Sequence, residues 1–170
     1  MFSSIRQCSS SRDDTANRWN RKTHIPLICA ADRGSYEVSR VLLEYGADPQ
    51  VRGCSNWTAL HWAAWEYKIQ SVMLLKCLLD HGADINARNS RGYTPLCNAV
   101  IGDNPPAVNI LLSEGADPNI RNQSGQTALE VAAVAGAAPR IIDALREPFK
   151  PGSLQICARN CIRATLMRPG

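Results

Sequence analysis

Apolar residues along this chain gather into short helical groups that return about every 33 residues. Leu60 with Ala63 and Ala64, and Leu129 with Ala132 and Ala133, each put a Leu and a small pair on one helical face. The groups sit inside a recurrent phrase: Ile25-Pro26-Leu27-Ile28-Cys29-Ala30-Ala31, Thr58-Ala59-Leu60-His61-Trp62-Ala63-Ala64, Thr94-Pro95-Leu96-Cys97-Asn98-Ala99-Val100 and Thr127-Ala128-Leu129-Glu130-Val131-Ala132-Ala133. Its starts lie 33, 36 and 33 residues apart. A second apolar stripe follows each phrase: Val38, Val41 and Leu42; Leu74, Leu75, Leu78 and Leu79; Val108, Leu111 and Leu112; Ile141, Ile142 and Leu145. A fixed period of this length predicts a stack of small two-helix units, none able to bury its apolar face alone.

Local signals agree with that spacing. Thr before Pro or Ala predicts a helix start, because the hydroxyl accepts from an orphan backbone N–H and Pro has none to satisfy. Gly46, Gly82 and Gly115 end the second helices, since Gly enters the left-handed conformation without strain. The Asp, Asn and Pro residues behind them supply the turns of an extended finger leading to the next unit. Three features depart from the pattern. Three extra residues between Ala64 and Gly82 lengthen either the turn or the second helix of unit two, Pro105-Pro106 opens the second helix of unit three, and unit four lacks the Gly-Ala-Asp finger.

These phrases, with Tyr45-Gly46-Ala47-Asp48-Pro49, His81-Gly82-Ala83-Asp84-Ile85-Asn86 and Glu114-Gly115-Ala116-Asp117-Pro118-Asn119, resemble the ankyrin-repeat family. The resemblance implies an all-α solenoid of four helix-turn-helix units at 20–52, 53–88, 89–121 and 122–147, after a disordered polar head at 1–19. In that family the concave side meets partner proteins. Carried over by position, the surface here includes Trp57, Trp65, Glu66, Arg91, Tyr93, Asp32 and Arg33, whose exposed aromatics beside Arg are common interface anchors. For Trp57 and Trp65, packing between repeats is an equal alternative. Trp62 is assigned to packing.

Composition narrows the function. Through Glu147 basic and acidic residues balance, and the net charge of +4 comes from Lys150, Arg159, Arg163 and Arg168. Nucleic-acid binding usually needs a broader basic face. Seven cysteines are an odd number without a CxxC pair, and Cys29, Cys77 and Cys97 fall at or near repeat-core positions. A reducing interior is expected, the cytoplasm first and the nucleus second. His24, His61 and His81 have no carboxylate or Cys partner at metal-ligand spacing, and no phosphate loop or nucleophile motif appears. Neither a metal, a cofactor nor catalysis is expected, and a structural role is expected for His61.

The tail follows a different rule. Pro148, Pro151 and Gly152 interrupt the chain, Ser153 stands as a helix N-cap, and Leu154, Cys157, Ala158, Cys161, Ile162, Thr165 and Leu166 form one stripe. A helix this short is marginal alone and needs a surface. Ser153-Leu154-Gln155-Ile156-Cys157-Ala158-Arg159-Asn160-Cys161-Ile162-Arg163 resembles the opening helix of a SOCS box, with Cys157 where Leu is commoner. Behind ankyrin repeats, that order resembles the ankyrin-repeat and SOCS box-containing family, with 148–170 as a partial SOCS box. The resemblance implies that Leu154, Cys157, Ala158 and Ile162 dock in a groove of Elongin C. It also implies a substrate-recognition adaptor of an Elongin B/C-cullin-RING E3 ubiquitin ligase, acting by proximity. The segment that selects the cullin does not follow Arg168-Pro169-Gly170, which puts cullin recruitment in question. The alternative is an ankyrin-repeat scaffold or decoy without ligase recruitment, its tail packed on Ile141, Ile142 or Leu145.

Overall fold

The computed structural model describes residues 25–146. His24 and the segment with Leu154, Cys157, Ala158 and Ile162 lie outside the described residues. The helices run in chain order: α1 Ile25–Asp32, α2 Tyr36–Glu44, α3 Ala59–Trp65, α4 Ile69–Asp80, α5 Pro95–Ile101, α6 Pro105–Ser113, α7 Ala128–Ala135 and α8 Pro139–Arg146. The odd-numbered helices pack on one another in sequence as one layer, and the even-numbered helices form the second. Each unit is thus a helix pair pressed between its neighbours in the stack.

Small residues let the odd layer close up. Ala31, Ala63, Ala64, Ala99 and Ala132 are fully buried in a core shared with Leu27, Leu60 and Leu96. The helix starts are built from the expected Thr residues. Thr94 Oγ1 accepts from Cys97 N at 3.3 Å, with Pro95 in the first helical position. Thr127 Oγ1 accepts from Glu130 N at 3.4 Å, and Glu130 Oε2 accepts in return from Thr127 N at 2.6 Å. That return bond, with one from the Thr127 hydroxyl, holds the Glu130 carboxyl below the usual carboxylate range.

At the other helix ends, Gly46, Gly82 and Gly115 have φ of +83°, +87° and +94°. Their left-handed turn lets Ala47, Ala83 and Ala116 donate back to the carbonyls of Leu42, Leu78 and Leu111. The three extra residues of unit two lengthen the helix and not the turn. α4 has 12 residues against nine in α2 and α6, and each inter-helix turn keeps the same length.

Some expected core positions are open. Val38 and Val41 are 52% and 42% exposed, and α2 buries Ser39 and Leu43 instead. Eight residues before the closing Gly, Leu74 and Ala107 are fully buried where Val38 is not. Units two and three each have a preceding unit to cover that place, and α2 has none among the described residues. Ala133 is likewise exposed and Leu129 half-buried, because no described helix follows α7 in its layer. Cys29 is exposed, Cys77 half-buried, and Cys97 alone of the three sits in the core.

The fingers carry their own ladder. Gly53, Asn89 and Asn122 donate to the carbonyls of Trp57, Tyr93 and Gln126, closing each tip. Asn89 Oδ1 also accepts from Arg91 N and Tyr93 N, and Asn122 Oδ1 from Ser124 N and Gln126 N. The first finger has Gly53 there, where a Cβ would press on Ile28 Cδ1 at 2.9 Å. Without the Asn staple, that tip coils into a short 3-10 turn at Cys54–Asn56, with Ser55 and Asn56 at positive φ. Ser90 N to Ser55 O at 2.8 Å and Gln123 N to Arg91 O at 3.0 Å join the tips.

Candidate functional site: an aromatic cleft

Between the fingers and the odd-numbered helices lies a cleft of about 670 Å³. Three ranks of side chains line it, each taken from one register position in units two, three and four. Immediately before the helix caps stand Trp57, Tyr93 and Gln126. One turn inside the helices stand Trp62, Asn98 and Val131, and a turn further on Trp65, Ile101 and Val134. The register arises because residues three and four apart share a helical face. Unit two fills all three places with Trp.

The indoles pack on one another. Trp57 and Trp62 have ring centroids 4.5 Å apart at 44°, and Trp57 and Trp65 lie 6.0 Å apart edge to face. Tilted and edge-to-face pairs suit the aromatic quadrupole. Trp57 sinks to 8% exposure, whereas Trp62 and Trp65 are half-buried. Trp62, assigned to packing from the sequence, therefore presents a ring to the cleft, and Trp57 supports it from beneath.

His61 holds this wall from behind. It is fully buried, and its Nδ1 accepts from Thr58 N at 3.2 Å and lies 2.8 Å from the Thr58 hydroxyl. Accepting there assigns the proton to Nε2, which donates to the Tyr93 carbonyl at 3.1 Å across to unit three. Burial lowers its pKa from 6.5 to about 4, against the opposing pull of the Tyr93 carbonyl and with help from Arg52. The imidazole is neutral near pH 7. On the far side of α3, buried Asn104 donates from Nδ2 to the carbonyls of Ala64 at 3.1 Å and Glu66 at 2.9 Å. Its Oδ1 accepts from Ala107 N at 3.2 Å, which caps α6.

Of the residues expected on the binding surface, Trp57, Trp65, Arg91 and Tyr93 line the cleft. Arg91 is exposed at its rim and Tyr93 half-buried. Asp32, Arg33 and Glu66 do not line it. Asp32 and Arg33 are exposed at the end of α1, and half-buried Glu66 pairs with Lys68 at 3.0 Å. Asn98, Ile101, Gln126, Val131 and Val134 were not singled out by sequence, although their offsets from the helix-start Thr match those of the tryptophans. Asn98 is the odd one: 1% exposed in the centre rank, with no hydrogen-bond partner for Nδ2 among the described residues.

Among the described residues no group of three or more His, Cys, Asp and Glu is placed to hold a metal ion. His81 donates from Nδ1 to the Cys77 carbonyl at 2.8 Å, closing the end of its own helix. No described helix is long and apolar enough to cross a membrane.

Comparison with known proteins decides the family. Two family models match, one described as ankyrin repeats (3 copies) over residues 7–89 and one as ankyrin repeats (many copies) over 78–132. The chain belongs to the ankyrin-repeat family. It is 37% identical over 82 residues to an ankyrin repeat-containing protein of Treponema pallidum, covering 45% of this chain and 26% of that one. It is 43% identical over 63 residues to protein PhlB of Serratia liquefaciens, covering 36% and 26%. Human SH3 and multiple ankyrin repeat domains protein 1 is 39% identical over 88 residues, covering 51% of this chain and 4% of its own length. The matched stretches thus span about a quarter or less of these relatives. Ankyrin repeats are non-catalytic protein-interaction units. The models match repeats only, and the segment resembling a SOCS box lies beyond residue 132.

Proposed function

We propose that this ankyrin-repeat chain is a protein-interaction module that holds a target protein in the cleft across units two to four. One observation carries the reading: three tryptophans and Tyr93, two of the indoles half-open, converge on a single 670 Å³ cleft instead of being scattered over the surface. Aromatic side chains gathered in a concave site are the usual anchors of an interface, since they lose few rotamers on binding and bury large areas. In this reading Trp65, Arg91 and Tyr93 contact the target directly, and Trp57 backs the contact from beneath Trp62. Asp32, Arg33 and Glu66 extend the contact beyond the cleft along the ends of the first helices.

Proximity labelling followed by pull-down with wild-type and Trp65→Ala chains tests it. The same proteins should be recovered with wild type and lost with the variant, while the far-ultraviolet spectrum stays unchanged. Equal recovery by a folded variant would refute the cleft as the docking site.

A second reading rests on the segment Ser153–Arg163. Its resemblance to the opening SOCS-box helix supports an adaptor that presents a bound target to an Elongin B/C-cullin-RING ligase, with Leu154, Cys157, Ala158 and Ile162 toward Elongin C. Co-purification of Elongin B/C with wild type, abolished by Leu154→Asp, is the expected result. Failure of Elongin to co-purify with wild type leaves the scaffold reading alone.

A further inference from the structure

The finger tips and the cleft together describe the partner more closely than an interaction module requires. In the aligned tip stretches 50–57, 86–93 and 119–126 stand Arg52, Arg88, Arg91 and Arg121, with no Asp or Glu. All four are exposed. Arg52, Arg88 and Arg121 repeat one register position and form a rail. Arg52 Nη1 donates to the Arg88 carbonyl at 2.7 Å, Arg88 Nη2 to the Arg121 carbonyl at 3.0 Å, and Arg121 Nη1 to the Gly125 carbonyl at 2.5 Å. Each fork is thereby tied to a finger carbonyl, which leaves the charges of Arg52 and Arg88 without a carboxylate partner among the described residues. Only Arg121 has a carboxylate beside it among the described residues, Glu130 at 3.5 Å. The finger aspartates Asp48, Asp84 and Asp117 accept from the backbone of Gln50, Asn86 and Asn119.

Asn98 supplies the second, independent observation. Its carboxamide stands in the centre rank between Trp62 and Val131, and its Nδ2 donor has no acceptor among the described residues. A buried donor left unmatched is costly, and an oxygen entering the cleft can satisfy it.

Resting on the reading of the cleft as a docking site, we propose that its occupant is an extended, acidic segment of a partner protein. An apolar side chain lies over Trp62 and Trp65, a carbonyl accepts from Asn98 Nδ2, and carboxylates face Arg91 and the Arg88 rail. Single-stranded nucleic acid would also suit stacked rings and arginines. The peptide is favoured because its backbone brings a carbonyl at every residue to meet Asn98 Nδ2, beside apolar side chains suited to Trp62 and Trp65. The charge through Glu147 also balances, which denies a polyanion the broad basic field it needs.

Selection from an unbiased random-peptide phage library on the whole chain tests this, with Trp65→Ala as the counter-screen. Enrichment should favour peptides with a Trp, Phe or Leu flanked by Asp and Glu. Their affinity, read by fluorescence anisotropy, should fall several-fold on raising salt from 50 to 500 mM and about tenfold in Arg91→Gln or Asn98→Leu. Neutral or basic consensus peptides that still depend on Trp65 would overturn the acidic partner and leave the docking site standing. No enrichment over Trp65→Ala would overturn both. Tight binding of a labelled oligothymidine that Trp65→Ala abolishes would replace the peptide with nucleic acid.

Discussion

Acid should weaken this stack through His61. The perturbation is a fall in pH from 7.5 to 4, compared between wild type and His61→Gln. The folded imidazole has its pKa lowered from 6.5 to about 4 by burial. Between those values the unfolded chain takes up a proton that the folded chain refuses, so stability present above pH 6.5 is lost as pH falls toward 4. At 1.36 kcal/mol per unit, the two and a half units amount to about 3 kcal/mol. The structure gives the loss a cause: protonation at Nδ1 removes the acceptor for Thr58 N and places a cation in a fully buried site. Gln at this helix position keeps a capping acceptor but cannot titrate. The variant should be about 1–2 kcal/mol less stable than wild type at pH 7.5, having lost the bond to the Tyr93 carbonyl. It should draw level with wild type, or exceed it, near pH 4. Urea unfolding at stepped pH, followed by circular dichroism, reads both curves. Glu130, whose pKa is lowered by its bonds to Thr127, loses its contribution as pH falls from 4.5 through that lowered value, at the acid end of the His61 window and alike in both chains. Parallel curves for wild type and His61→Gln between pH 6.5 and 4 would refute the reasoning.

Three further outcomes follow from the same geometry. Trp57→Ala should cost about 3–5 kcal/mol in unfolding free energy, since it empties a buried ring site, whereas half-buried Trp65→Ala should cost much less and act mainly on binding; thermal melts of the pair rank them. Asn104→Ala should destabilise by about 2–4 kcal/mol in urea titrations, because it removes the α6 cap and strands the Ala64 and Glu66 carbonyls together. Ser71→Ala should raise stability by about 1 kcal/mol, since the fully buried Ser71 hydroxyl has no hydrogen-bond partner among the described residues; a lower melting temperature would show that the hydroxyl is satisfied in solution.

Period, helix starts and closing glycines were legible in the sequence because each is a short-range device. A Thr before Pro95 or Ala128 caps its own helix, and Gly46 turns its own chain, whatever surrounds them. Burial was legible only where neighbours repeat. The α2 stripe of Val38, Val41 and Leu42 has the right helical spacing, yet spacing inside one helix does not record whether another unit covers it. The tryptophans show the same boundary at the candidate site. That Trp57, Trp62 and Trp65 cluster follows from offsets around Thr58. Which ring sinks follows from ring-on-ring packing against His61 and the next unit, a tertiary outcome. Asn98 escaped notice because a buried Asn within a helix phrase looks like any polar variation until its unmatched donor is located.

The division of labour between the two sides of α3, α5 and α7 explains how one backbone carries so uneven a cleft. The centre rank passes from Trp62 to Asn98 to Val131 without changing the helices beneath it, because those helices are held from elsewhere. Ala63, Ala99 and Ala132 seat them on one another, Asn104 ties the end of α3 to the start of α6, and Asn89 and Asn122 close the fingers. Side chains of the centre rank are thus replaceable in a way that the supports, buried Trp57 among them, are not. His61 is where the two sides meet. Its ring lies 5.9 Å from Trp57 and its Nε2 holds the carbonyl of Tyr93, so one buried imidazole fixes a wall residue in unit two and another in unit three. A proton on His61 loosens the junction and the wall in the same step. Binding in the cleft should therefore weaken across the same pH window as folding stability, and it should do so through His61 even when the ligand itself has no titrating group.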